Sequence, residues 1–156
     1  MINIKNVLFP TDCSENTKDA LAYAIEITKK FKAKLTILNV TRELEIYGGD
    51  SDFLSPSNYK KMVEAADDKF KSQLMEYWEG LNDSDLEAKL IQVKGDPFKE
   101  IVRFSQENKM DIIVMGTHGR TGIQQLMMGS VAEKIVRYSP IPVLTVKNRK
   151  AEYIPV

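Results

Sequence analysis

One stretch constrains this chain more than any other: Met115-Gly116-Thr117-His118-Gly119, followed after nine further residues by Gly129-Ser130. The apolar run Ile112-Ile113-Val114-Met115 leads into it, and a helical pattern leaves it. Strand, glycine-rich loop and helix form the layout of an anion cradle. Glycines let backbone N–H groups approach an anion closely, and the helix that follows offers unpaired N–H groups with a favourable dipole.

The remaining pattern predicts what surrounds that loop. Ile4 to Pro10 is a short apolar run closed by Pro10-Thr11-Asp12, as in a buried parallel strand. Ser14 offers an N-cap, and Leu21, Ala24, Ile25 and Thr28, widened by Ala20, Ile27 and Phe31, predict a helix to about Phe31 that packs on a sheet. Leu35 to Val40 is a second strand. Thr41 to Asn58, with Gly48-Gly49-Asp50-Ser51 and Ser55-Pro56-Ser57, is a long loop of a length that favours a functional role. Tyr59 to Leu81 carries Met62, Val63, Ala66, Phe70, Leu74, Tyr77, Trp78 and Leu81 at helical spacing. Leu86 to Lys94 mixes charged and apolar residues, which suits an edge strand. Asp96 then caps a helix with Pro97 at its first position and Phe98, Ile101, Val102 and Ser105 facing inward. After the glycine loop a helix runs through Arg137, Ser139-Pro140-Ile141-Pro142 stops it, and Val143 to Val146 is a fifth strand.

Five strands alternating with four helices predict a three-layer α/β domain with a parallel sheet, residues 1–156 as one domain. In such sheets ligands bind beyond the carboxyl ends of the strands, where the strand order reverses. If the first and fourth strands meet at that reversal, Asp12 and the glycine loop face one crevice. Ser130-Val131-Ala132-Glu133 has the form of a capping box, with Ser130 as cap. Gly116, Gly119, Gly129, Ser130 and Arg120 together suit two or three phosphates. Asp12 suits ribose hydroxyls or a metal ion.

Composition narrows the remaining classes. Lys plus Arg and Asp plus Glu number 22 each, so net charge makes no case for nucleic acid or an acidic membrane. No run approaches the roughly 18 apolar residues of a membrane helix, and the opening residues lack the apolar region of a signal peptide, so a cytoplasmic protein is expected. The single Cys excludes an internal disulfide. There is no G-x-x-x-x-G-K-[ST] loop, the turn after the first strand has no glycine, and no acidic residue ends the second strand at Asn39-Val40. Neither a P-loop nor a dinucleotide fingerprint is present. A receiver-like phosphoacceptor domain would need an acidic set that the single Asp12 does not supply. The rival from another class is a small hydrolase using Cys13 and His118 as a nucleophile pair, although no third residue orients the histidine.

Gly116-x2-Gly119-x9-Gly129-Ser130 resembles the nucleotide signature of the universal stress protein family, in its ATP-binding branch. Val7 to Ser14, Gly95-Asp96-Pro97 and Ser139 to Leu144 resemble the same family. The resemblance implies a Rossmann-like, adenine nucleotide alpha hydrolase-like α/β/α sandwich with a parallel sheet of order 3-2-1-4-5. It also implies that Pro10, Thr11 and Asp12 lie against the nucleoside and that the Val40 backbone meets adenine. Met115, Gly116, His118, Gly119 and Arg120 would line the phosphate loop, and Gly129, Ser130 and Val131 would close on the phosphates. It implies ATP, with Mg²⁺, as the ligand, and a homodimer formed through the last strand, Pro142 to Val146. The expected role is a stress-response switch or partner binder with slow hydrolysis at most.

Overall fold

The computed structural model describes residues 2–41, 68, 72, 86–117 and 128–147. The chain forms two compact units, Met1–Glu43 with Asp85–Val156, and Leu44–Ser84. The loop expected at Thr41–Asn58 and the helix expected at Tyr59–Leu81 lie, apart from Thr41, Asp68 and Ser72, outside the described residues; Asp68 and Ser72 are helical.

The first unit holds a five-stranded parallel sheet. Its strands are β1 (Asn6–Pro10), β2 (Lys34–Thr41), β3 (Ala88–Lys94), β4 (Ile112–Gly116) and β5 (Val143–Val146). Their spatial order is β3-β2-β1-β4-β5, so β1 is central and the order reverses between β1 and β4. The helices are α1 (Lys18–Phe31), α2 (Pro97–Glu107) and α3 (Ser130–Tyr138).

Two layers of apolar side chains hold the helices to the sheet. Alternation along the strands sends Leu8, Leu38, Ile113 and Met115 to one face, where they form a core with Ile101 and Phe104 of α2 and Ala132 and Ile135 of α3. Val7, Phe9, Leu35, Ile37 and Val114 point the other way, onto the face covered by Ala20, Leu21, Ala24 and Ile25 of α1. The central strands are therefore buried on both faces, as their unbroken apolar runs require. β3 lies at an edge, and its Lys89, Leu90 and Lys94 are exposed. Its charges fit that position.

Three local expectations need correction. Thr41 closes β2 rather than opening the loop. Ser14 does not cap α1: a 3-10 turn, Glu15–Thr17, intervenes, and the Ser14 carbonyl accepts the Thr17 N–H at 3.0 Å. Phe31 ends α1 at 38% exposure instead of completing its buried stripe, because the chain turns away at Lys32 in a left-handed conformation (φ 52°). Asp96 and Pro97 do as expected, with the Asp96 carboxylate accepting the Lys99 N–H at 3.0 Å.

Candidate functional site

The site begins with the way β1 stops. Pro10 has no N–H, so it cannot carry the ladder on towards β4. The register between β1 and β4 ends at Leu8↔Ile113, and that between β1 and β2 at Pro10↔Leu38. Both neighbours run further: β2 continues through Asn39, Val40 and Thr41, and β4 continues to Gly116. Among the described residues a gap therefore opens in the middle of the sheet, at its carboxyl edge. Two strand spacings make it about 10 Å across, room for a flat ring held to one side.

Backbone direction decides what faces the gap. Alternate residues of a parallel strand turn their N–H and C=O groups to opposite neighbours. Leu38 accepts the Thr11 N–H at 2.9 Å, so Val40, two residues on, turns its own groups towards the line of β1. Thr117 donates to the Val146 carbonyl of β5 at 3.1 Å, so Gly116 turns the other way, again towards β1. At both positions β1 has already left.

The departing chain, Thr11 to Thr17, is held by its own side chains. The Thr11 hydroxyl accepts the Cys13 N–H at 3.0 Å, and the Asp12 carboxylate accepts the Ser14 N–H at 3.0 Å. The Thr17 hydroxyl donates to the Ser14 carbonyl at 2.7 Å, so in its 3.0 Å contact with Thr11 it must accept. These bonds hold Cys13 at φ 59°, a left-handed conformation that L residues other than Asn and Asp rarely adopt. The 3-10 turn packs against β4, bringing this turn to the β4 side of the gap. The Thr11 carbonyl accepts the Asn39 Nδ2–H at 2.9 Å, and Asn39 Oδ1 accepts from Gln92 Nε2 at 3.5 Å. Asn39 is 5% exposed, and its only sequence signal is a polar side chain inside an apolar strand.

On the other side, Gly129 donates its N–H to the Thr117 carbonyl at 2.7 Å, so the two ends of the glycine loop meet. Gly129, rather than Ser130, is the N-cap of α3, and no side chain caps it. The expected capping box is therefore absent: Ser130 is already helical, the Glu133 N–H goes to the Gly129 carbonyl, and the Glu133 carboxylate reaches Arg137 at 3.9 Å. The consequence is chemical. The N–H groups of Ser130, Val131 and Ala132 form the first turn of α3, without intrahelical acceptors and at the positive end of the helix dipole.

The structure thus brings Pro10, Thr11, Asp12, Val40 and Gly116 to one edge, and it places Gly129, Ser130 and Val131 directly after the loop that leaves β4. Met115 is 6% exposed, its side chain belongs to the core and its backbone groups face β5, where it pairs with Thr145. His118, Gly119 and Arg120 lie outside the described residues. Cys13 is buried, which withholds its thiol from an incoming substrate. Among the described residues no group of three His, Cys, Asp or Glu side chains is placed to hold a metal ion, and no helix is long and apolar enough to cross a membrane.

The model of the universal stress protein family matches residues 3–147. Universal stress protein MJ0577 of Methanocaldococcus jannaschii is 34% identical over 158 residues, covering 94% of this chain and 97% of its own. The solved structure of MJ0577 matches with a TM-score of 0.76 at 29% identity, over 96% of this chain and 99% of that one. Universal stress protein UspA from Lactobacillus plantarum matches with a TM-score of 0.79 at 22% identity, covering 94% and 100% of the two chains. A family member from Arabidopsis thaliana, solved with AMP bound, matches with a TM-score of 0.61 at 18% identity, covering 94% and 93%.

Proposed function

This chain belongs to the universal stress protein family, and we propose that it binds ATP in the gap beyond the end of β1. The observation that carries this reading is the pair of backbone edges, Val40 on β2 and Gly116 on β4, that face each other where β1 has turned away. A backbone N–H beside a C=O complements the acceptor and donor on the edge of adenine. AMP in the Arabidopsis relative supports an adenine nucleotide as the ligand class.

The residues divide by the chemistry they offer. The Val40 backbone would take the base, and Pro10, Thr11 and Asp12 would lie along the nucleoside, with the Asp12 carboxylate near the ribose or a Mg²⁺ ion. Gly116, through its backbone, with His118, Gly119 and Arg120, would meet the phosphates, and Met115 would seat that loop by anchoring its first turn in the core. Ser130 and Val131 add first-turn N–H groups, while Gly129 contributes the absence of a side chain, its own N–H being held by Thr117. Bound ATP would supply the negative charge that such a cradle is built to receive. The Asp12 carboxylate, which already accepts the Ser14 N–H, suits the ribose or a metal ion better than the activation of water, so we take hydrolysis to be slow at most. The protein then works as a switch, with a homodimer formed through the last strand, Pro142 to Val146.

A thermal melt tests the reading. With MgATP at a hundredfold excess over Kd, the midpoint should rise by about 5–10 °C, the equivalent of about 2.7 kcal/mol. GTP and NAD at the same concentration should leave it in place. No shift with ATP, and no nucleotide released from the purified protein, would sink the proposal.

A further inference from the structure

We propose that Asn39 is a positioning residue that keeps the Val40 N–H available by taking its place on the Thr11 carbonyl. The inference rests on the reading of Val40 as the group that meets the base.

The ladder between β1 and β2 shows what Asn39 interrupts. Its last backbone bond runs from the Thr11 N–H to the Leu38 carbonyl, at 2.9 Å. In a parallel ladder the next bond would run from the Val40 N–H to the Thr11 carbonyl. That bond is not made, and the register stops at Pro10↔Leu38. The Thr11 carbonyl accepts from Asn39 Nδ2 instead, at 2.9 Å. The side chain thus supplies the donor that the backbone of the following residue would otherwise supply. Gln92 Nε2, reaching Asn39 Oδ1 from β3, orients the amide so that its NH₂ faces Thr11. A part-buried carbonyl left without a donor is costly, so removing the amide drives Thr11 to the nearest alternative, the Val40 N–H. β1 would then extend by one step into the gap and close the edge that reads the base.

This predicts a change opposite in sign to that of a merely structural residue. Asn39→Leu keeps the branched shape and removes the donor. Without nucleotide, the Val40 amide of N39L should exchange its hydrogen roughly tenfold or more slowly than in the wild type, because it gains a protein acceptor. ATP affinity should fall at least about tenfold. A Val40 amide that exchanges at the wild-type rate or faster overturns the proposal, as does slower exchange with unchanged ATP affinity. If N39L does not fold, Gln92→Leu, which removes the orienting group at the sheet edge, should slow Val40 exchange by a smaller factor; no slowing overturns the proposal. Failure of the wild type to bind ATP sinks the functional reading alone, since the exchange rates are compared without nucleotide.

Discussion

Gly129→Val is expected to cut ATP affinity by about 100-fold or more, equivalent to about 2.7 kcal/mol, while the protein still folds. The backbone of Gly129 has φ −59° and ψ 145°, an extended conformation open to any residue. Its carbonyl and N–H serve the Glu133 N–H and the Thr117 carbonyl, bonds that a side chain does not remove. What glycine contributes here is therefore an absent side chain beside the first turn of α3. Valine would stand where phosphate oxygens must approach Ser130, Val131 and Ala132. Its poorer fit at a helix N-cap should cost about 1 kcal/mol, or roughly 2–4 °C in the melt. Calorimetric titration beside a thermal melt separates the effects: lost binding with a small melt change supports the cradle. Collapse of the fold would mean that the glycine serves structure.

Ile135→Ala should have the largest effect on stability, about 3 kcal/mol and a melting point roughly 6–12 °C lower. Ile135 is fully buried and ties α3 to Leu8, Ile113 and Met115 of the central strands. Its neighbour Val136 is 51% exposed, so Val136→Ala should change stability by less than about 0.5 kcal/mol. Denaturant titrations of the two variants check the contrast. Equal effects would mean that α3 is not held to the sheet by this face.

Much of this architecture is written in local pattern. The apolar runs at Val7–Pro10, Leu35–Val40 and Ile112–Met115 can be buried only between two layers of helix, and the charges of Ala88–Lys94 place that strand at an edge. The glycine pattern and Asp12 put the expected site at the carboxyl end of the sheet, where β1 ends at Pro10 and β4 at Gly116. What local pattern does not carry is competition between near-equivalent partners. Ser130 followed by Glu133 suits a capping box, yet one residue's difference in helix start hands the cap to Gly129 and leaves the Ser130 N–H within the first turn. Ser14 suits an N-cap, but Thr11, Asp12 and Thr17 take over the turn with side-chain bonds spanning up to six residues. Asn39 meets Thr11 only because the strands align as they do, 28 positions apart in the chain. No periodicity encodes such a contact.

The central claim is that an adenine nucleotide lies between the free edges of β2 and β4, and a backbone amide titration tests it most directly. With ¹⁵N-labelled protein and MgATP added to saturation, the amides of Val40, Gly116, Ser130, Val131 and Ala132 should show the largest shifts. GTP at equal concentration should leave Val40 in place, because its base presents a donor and an acceptor in the reverse order. Saturable ATP shifts confined to residues away from the carboxyl edge of the sheet, or no shifts at millimolar ATP, would contradict the account.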